Sequence, residues 1–142
     1  MDEGKVTGAI FLDLKKAFDT VNPSLLIDKL NKYGISGTEL NWFKSYLSNR
    51  MQSVKIGRSF SDLKSIDIGI PQGSILGPLL FIVFVNDLPD NVTCKTVMYA
   101  DDTSLLVSSS DPSCLQNSLN RNLCNIASWF RKNKLTLNLS KT

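Results

Sequence analysis

Two adjacent aspartates, Asp101 and Asp102, lie between two short apolar runs in VMYADDTSLLV, residues 97–107. Like charges repel, and a solvent-exposed turn tolerates them because Asp is favoured in turns and water screens the repulsion. A bound cation would also neutralise the pair. The dipeptide alone leaves both interpretations open, since short motifs occur often by chance.

A third acid, Asp13, follows an apolar run in IFLDLKKAFD, residues 10–19. An acid in this place is not expected unless the strand end opens into a site. Strand alternation puts Asp13 on the face of Phe11, and it meets the aspartate pair if the two strands are neighbours. Three carboxylates without histidine or thiolate make an all-oxygen site that suits Mg²⁺ or Mn²⁺. Two such ions about 4 Å apart can activate a 3′-hydroxyl and stabilise a leaving pyrophosphate.

The segment GIPQGSILGP, residues 69–78, is the third candidate. Taken alone, it is a Pro- and Gly-rich loop that leads into a helix. Beside the acids it gains features that suit a ligand. Gly73 allows the backbone to approach a ligand closely, Gln72 offers an amide, and a helix start favours phosphate.

Three segments, in this order, resemble motifs A, B and C of reverse transcriptases: FLDLKKAFDTV (11–21), GIPQGSILGPLLF (69–81) and YADD (99–102). The resemblance is strongest to non-long-terminal-repeat retrotransposon enzymes of the jockey-like kind. NDLP (86–89) and LTLNLSKT (135–142) are similar to the same group. The resemblance covers nearly the whole chain, and the ordered set is far more specific than YADD alone.

The resemblance implies a metal site with two Mg²⁺ or Mn²⁺ ions. Asp13 and Asp101 would be the principal ligands, and Asp102 would be the third acid. All three aspartates would then be catalytic, because the ions they hold take part in nucleotidyl transfer.

The resemblance also implies substrate contacts. Phe18 is similar to the steric gate that excludes a ribose 2′-hydroxyl, and a core aromatic is the alternative. Gln72 and Gly73 would contact the incoming dNTP. Lys141 is similar to the motif D lysine, which is proposed in polymerases as the general acid for pyrophosphate; a solvated lysine is the alternative.

Other charged residues are given no metal role. Asp19 is expected to cap or orient a turn, and Asp87 is expected to belong to a helix end. Four basic residues are candidates for template or primer phosphate: Lys15, Lys16, Arg50 and Lys55.

The elements that must position these residues alternate between strands and helices. The patterns predict four helices: one from Asn22-Pro23 to Gly34, one carrying Leu40, Phe43 and Leu47, one from Gly77-Pro78 to about Asn86, and an amphipathic one after Asp111-Pro112. They also predict a buried strand over 5–14, a hairpin of 52–57 and 63–69, a hairpin around the aspartate pair, and a half-buried strand over 135–139. This favours an α+β fold with helices on one face of a mainly antiparallel sheet, as in a polymerase palm. A doubly wound sheet is disfavoured because no Gly-rich phosphate loop follows the first strand.

Composition narrows the function classes. The 142 residues are 42% apolar, which predicts one globular domain, and the net charge of +3 permits a polyanionic partner without requiring one. The absence of histidine excludes catalytic triads and His-ligated zinc. Three cysteines without CxxC spacing indicate buried or free thiols in a reducing compartment.

No membrane partner is expected, because the longest apolar stretch, residues 79–85, is too short to span a bilayer. Charges at Asp2, Glu3 and Lys5 argue against a signal peptide, so an intracellular protein is expected. Its site of action would be the nucleus if it is part of an intact element.

The predicted function is an RNA-directed DNA polymerase that binds an RNA template, a DNA primer and dNTP. Residues 1–142 would form the palm with part of the fingers, and the N-terminal fingers and the thumb are missing from this sequence. A catalytically inactive remnant that at most binds nucleic acid is the alternative. A palm-type nucleotide cyclase or a metal nuclease would use similar acids, and the order of the motifs disfavours both.

Overall fold

The structure is a computed structural model, and it describes residues 4–142. Asp2 and Glu3, on which the signal-peptide prediction partly depends, lie outside the described residues. The elements follow in the order β1 (Val6–Leu12), α1 (Ala17–Thr20), α2 (Pro23–Lys32), α3 (Gly37–Leu47), β2 (Arg50–Gln52), β3 (Lys55–Ile56), β4 (Ser59–Phe60), β5 (Lys64–Ile66), α4 (Leu76–Val85), a 3₁₀ turn (Pro89–Asn91), β6 (Lys95–Tyr99), β7 (Asp102–Ser109) and α5 (Pro112–Lys132).

A three-stranded antiparallel sheet forms the centre of the fold. Its order is β1-β7-β6, so β7 pairs with both neighbours. Leu12 lies opposite Thr103 in one ladder, and Tyr99 lies opposite Asp102 in the other. The predicted hairpin around the aspartate pair is confirmed, and so is the predicted adjacency of the first strand to it.

The two faces of this sheet differ sharply. Leu12 and Leu105 point inward and are 2% and 0% exposed. Phe11 and Tyr99 point outward and are 65% and 83% exposed. The expectation that residues 5–14 form a buried strand is therefore wrong for the outer face, because strand alternation leaves every second side chain of β1 uncovered.

Helix α5 covers the inner face. It contacts β1 and β7, and its approach to β1 is close at Gly8, where an added Cβ would lie 2.7 Å from the Leu119 Cδ1 atom. The core between sheet and helices consists of large apolar side chains from α2, α4, α5 and their connections, among them Val21, Leu26, Leu30, Phe81, Phe84, Leu88, Ile126, Trp129 and Phe130. This arrangement confirms the predicted α+β class with helices on one face.

The predicted helix starts are confirmed at two caps. The Asn22 side chain accepts a hydrogen bond from the Leu25 N–H at 3.1 Å, and Pro23 occupies the first helical position. The Asp111 carboxylate accepts hydrogen bonds from the backbone N–H groups of Ser113 and Cys114, both at 3.1 Å. Both caps satisfy N–H groups that a helix leaves unpaired at its first turn.

Two predicted strand regions differ from the structure. The hairpin predicted over 52–57 and 63–69 is interrupted: β2 pairs with β5, and β3 pairs with β4 as a separate ladder in place of the polar loop. The strand predicted over 135–139 is reduced to one antiparallel bridge between Leu14 and Leu137. Beyond this bridge the chain turns, because the Lys141 N–H bonds to the carbonyl of Asn138.

A buried lysine joins three helical segments. Lys29 is 9% exposed, and its Nζ donates to the Phe84 carbonyl and to Asp87 Oδ1, both at 2.6 Å. The ammonium also lies 4.8 Å from the ring centroids of Phe84 and Trp129. Burial lowers the pKa of Lys29, and the hydrogen bond with Asp87 opposes that shift. Asp87 follows the end of α4, as predicted, and its partner lies on α2.

The remaining expectations concern membranes and thiols. Within residues 4–142, none of the helices has the length and apolar content that crossing a bilayer requires. All three cysteines are free thiols; Cys94 is half-buried, and Cys114 and Cys124 are exposed.

Candidate active site

The sheet register brings two of the predicted acids to the same end of the sheet. Asp13 is the first residue after β1, and Asp102 is the first residue of β7. Because Leu12 pairs with Thr103, the next backbone position on each strand is Asp13 and Asp102. Asp101 lies in the tight turn that connects β6 to β7. Asp13 and Asp101 are half-buried, and Asp102 is exposed.

Asp13 has a partner that sequence reasoning missed. The Asn138 side chain donates from Nδ2 to Asp13 Oδ2 at 2.7 Å, and the Asn138 backbone N–H donates to the Asp13 carbonyl at 2.9 Å. The only sequence signal is an amide within a leucine-alternating segment. That signal does not show which element the segment lies beside.

The donor set fits a hard divalent cation, but it is not preassembled. Across residues 4–142, no group of three or more Asp, Glu, Cys or His side chains is arranged to hold a metal ion. The three-acid site with Asp13, Asp101 and Asp102 therefore stays a prediction. Mg²⁺ usually takes one or two protein carboxylates and completes its shell with water and substrate phosphate. The adjacent backbones of Asp13 and Asp102 are compatible with such a site.

The Gly- and Pro-rich segment is docked on the chain that follows β1. The Gly69 N–H donates to the Val21 carbonyl at 2.7 Å, and the Ile70 N–H donates to the Phe18 carbonyl at 2.9 Å. Gly69 has φ of +80°, and a Cβ there would lie 2.8 Å from the Asp19 carbonyl oxygen. A glycine is required at this position, because the contact and the left-handed backbone both disfavour a side chain.

Gln72 is held by Asp19, an acid to which the sequence gives no metal role. Its Nε2 donates to Asp19 Oδ1 at 2.7 Å, across 53 residues of sequence. Asp19 is expected to cap or orient a turn, and its carboxylate contacts the turn at residues 72–73 through Gln72. Gly73, the next residue, has φ of +75° and no heavy atom within 4 Å of an added Cβ, so the backbone there is open to a ligand.

The Phe18 ring contacts the core and also lines a cavity. Its ring stacks on Phe81, with centroids 4.8 Å apart and planes 28° from parallel. It also lines a cavity of about 460 Å³ together with Gln72 and Gly73. A second cavity, of about 480 Å³, lies between Phe18 and the strand end at Tyr99. The ring is thus a core contact on one side and a cavity wall on the other.

The basic candidates for phosphate contact differ in availability. The Arg50 guanidinium donates to the backbone carbonyls of Leu47, Ile68 and Gly69, so it supports the docked loop. The Lys55 ammonium lies 5.2 Å from the Phe60 ring centroid. The side chains of Lys15, Lys16, Lys55 and Lys141 are exposed. The predicted role of Lys141 stays a prediction.

An antiparallel sheet with acids at its hairpin end, a docked Gly- and Pro-rich loop and helices on one face define an α+β domain of the polymerase-palm kind. The profile of the family "Reverse transcriptase (RNA-dependent DNA polymerase)" matches residues 1–142. The chain therefore belongs to the reverse transcriptase family.

The chain is similar to several curated polymerases of mobile elements. The chain is 35% identical to the "Probable RNA-directed DNA polymerase from transposon BS" of Drosophila melanogaster, and 30% identical to the "RNA-directed DNA polymerase from mobile element jockey" of Drosophila funebris. Each match covers 99% of this chain and 16% of the relative. A Popillia japonica "Retrovirus-related Pol polyprotein from type-1 retrotransposable element R2" is 25% identical over 98% of the chain and 24% of the relative. The predicted resemblance to jockey-like, non-long-terminal-repeat elements is confirmed.

Proposed function

We propose that this chain carries the catalytic core of an RNA-directed DNA polymerase from a non-long-terminal-repeat retrotransposon. It would transfer a nucleotide from dNTP to the 3′-hydroxyl of a DNA primer on an RNA template. One observation carries the proposal: three distant segments meet in the fold in the family's order. The end of β1 lies beside the β6–β7 turn, and the 69–73 loop is docked on residues 18–21.

Divalent cations would be held by Asp13, Asp101 and Asp102, whose oxygen donors suit Mg²⁺ or Mn²⁺. When bound, two such ions supply Lewis-acid activation of the attacking and leaving oxygens. The chain's own contribution is placement. The Asn138 amide fixes Asp13 at 2.7 Å, and the sheet ladders fix the ends of β1 and β7.

The nucleotide would lie against the cavity between Phe18 and the 71–78 segment. Gln72 would hydrogen-bond to it, Gly73 would let it approach the backbone, and the Phe18 ring would exclude a 2′-hydroxyl. Lys141 is proposed as the acid that protonates the leaving pyrophosphate. The domain would be a palm with part of the fingers, acting inside the cell and, in an intact element, in the nucleus.

The test is primer extension by the longest protein that the reading frame encodes. Asp101→Asn keeps the volume of the side chain and removes the charge, so we expect extension with Mg²⁺ or Mn²⁺ to fall by about 100-fold or more. Asp90→Asn, in the exposed 3₁₀ turn, is the matched control and should extend normally. Normal extension by Asp101→Asn would refute the assignment.

A second candidate function is nucleic-acid binding without catalysis. It is favoured by the lack of a preassembled group of three metal-ligating side chains within residues 4–142. Mn²⁺ titration followed by paramagnetic broadening separates the two candidates. Broadening of resonances around Asp13 and Asp102 supports the polymerase, whereas template binding without broadening or extension supports the inactive protein.

A further inference from the structure

We infer that Asp19 is a positioning residue for nucleotide recognition, because its carboxylate determines how the Gln72 amide is presented. The identity of the ligand rests on the proposed function, whereas the hydrogen bond between Gln72 Nε2 and Asp19 Oδ1, at 2.7 Å, is a property of the fold. Asp19 is not one of the three acids that are predicted to bind metal.

The chemistry of the two side chains fixes the orientation of the amide. An ionised carboxylate can only accept hydrogen bonds, so the NH₂ group of Gln72 must face Asp19. The Gln72 Oε1 atom is consequently directed away from Asp19 and is free to accept from a ligand hydroxyl. A glutamine without this partner would rotate about its last torsion, where the energy wells are broad, and would offer oxygen and nitrogen interchangeably.

Asp19 is itself well anchored. Its backbone N–H donates at 2.9 Å to the carbonyl of Lys16, the N-cap of α1. On the other side, the Cα of Gly69 packs so closely that an added Cβ would lie 2.9 Å from the Asp19 Cα. The carboxylate therefore projects from a backbone that neighbouring segments hold from two directions.

The same docking places both walls of the cavity. The hydrogen bond from the Ile70 N–H to the Phe18 carbonyl, at 2.9 Å, ties the loop to the residue before Asp19. Phe18 and Gln72 line the same cavity. Asp19 connects the two, because it follows Phe18 in the chain and its side chain bonds to Gln72. Loss of the carboxylate should free Gln72 and leave Phe18 in place.

A structural role and a positioning role predict different results. Asp19 and Gln72 are both at least partly exposed, and an exposed hydrogen bond contributes little to folding. The effect of Asp19→Ala should therefore appear in substrate recognition. We expect KM for dNTP to rise by about tenfold and kcat to change by less than about threefold, as for a lost binding contact. Asp19→Asn keeps an oxygen acceptor and should retain most of the wild-type KM.

A double-mutant cycle gives the decisive comparison. If Asp19 acts through Gln72, then Asp19→Ala should raise KM no further in a Gln72→Ala background. Equal effects of Asp19→Ala in both backgrounds would overturn the inference. An unchanged KM for dNTP in Asp19→Ala, measured with an enzyme that extends primers, would also overturn it.

A measurement without catalysis separates this inference from the proposed function. In the ¹⁵N-labelled chain, the side-chain NH₂ resonances of Gln72 should shift in Asp19→Ala, whereas those of Gln116, an exposed residue of α5, should not. Unchanged Gln72 resonances would overturn the positioning role even if the enzyme is active. A shift in a protein that never extends primers would support the positioning contact and count against the polymerase.

Discussion

At the scale of single residues, Gly69 shows how one missing side chain permits the site to form. The residue has φ of +80° and packs against the backbone of Asp19. Two flanking hydrogen bonds, from Gly69 to Val21 and from Ile70 to Phe18, depend on this close approach. Any Cβ would force the two segments apart, and the cavity between Phe18 and Gln72 would change shape.

Gly69→Ala should therefore destabilise the protein more than a glycine change that alters backbone conformation alone. Gly57 has φ of +60° and no heavy atom within 4 Å of an added Cβ, so Gly57→Ala is the matched control. We expect Gly57→Ala to cost about 1 kcal/mol and Gly69→Ala about 2–4 kcal/mol in the free energy of unfolding. Urea unfolding measures both, and equal losses would contradict the contact.

The sequence predicts candidate site residues where their type and their order along the chain form a motif. Asp13, Phe18 and Gln72 stand in ordered motifs, so the motifs alone identify them. Their partners could not be identified in this way. Asn138 lies 125 residues from Asp13, and a hydrogen bond across such a separation depends on tertiary packing that a single sequence does not display.

At the scale of elements, the start of α5 is defined by the Asp111 cap. The pKa of Asp111 lies below its usual value because its carboxylate accepts hydrogen bonds from the Cys114 side chain and from the backbone N–H groups of Ser113 and Cys114. A carboxyl group with a lowered folded pKa stabilises the fold above its unfolded pKa, here 3.8, and that stability is lost as pH falls through the folded pKa.

Asp111→Ala should lower the free energy of unfolding at neutral pH, and the difference from wild type should shrink as pH falls below 3.8. Asp111→Asn keeps a capping oxygen without the charge, so it should retain most of the neutral-pH stability and lack the pH-dependent part. Hydrogen exchange of the first turn of α5 measures the effect. A difference in the free energy of unfolding between wild type and Asp111→Ala that widens below pH 3.8 would contradict this account.

The helices were easier to predict than the minor strands for a physical reason. A cap such as Asn22-Pro23 is a local signal, because the capping side chain and its N–H partner are three residues apart. Strand pairing is not local. The β2–β5 and β3–β4 ladders and the Leu14–Leu137 bridge depend on which segments meet, so their extent could not be predicted from alternation alone.

At the scale of the whole molecule, Lys29 links three of the helices that form the core, α2, α4 and α5. Its ammonium satisfies the Phe84 carbonyl near the end of α4, pairs with Asp87 and faces the Trp129 ring of α5. Burial of such a charge is costly, and the pair with Asp87 compensates for it. Removing the acid alone leaves a poorly solvated cation.

Asp87→Ala should lower the free energy of unfolding by about 1–3 kcal/mol at pH 7. The variant also lowers the folded pKa of Lys29 further, because the carboxylate that raises it is gone. Between that pKa and 10.5, unfolded Asp87→Ala binds more protons than the folded variant, so its free energy of unfolding rises with pH. The difference in the free energy of unfolding between the wild-type protein and Asp87→Ala should therefore narrow as pH rises. Denaturation from about pH 7 to about pH 10 tests this.

The control is Lys29→Met with Asp87→Ala, which removes the titrating group and keeps the apolar stem. The difference in the free energy of unfolding between this double variant and the wild-type protein should not narrow over the same range of pH. Parallel curves for Asp87→Ala and the double variant would show that Lys29 is not the group that responds to the loss of Asp87.

The contact between Asp13 and Asn138 also depends on the order in which the chain is synthesised. Ribosomes emit polypeptide in order, at about 5–20 residues per second, so the partner of Asp13 is synthesised several seconds after it. Until Asn138 clears the exit tunnel, the acid at the tip of β1 lacks the amide that holds it. The amide that fixes Asp13 is therefore synthesised well after the acid itself, and a nascent chain halted before residue 138 would carry the three acids without it.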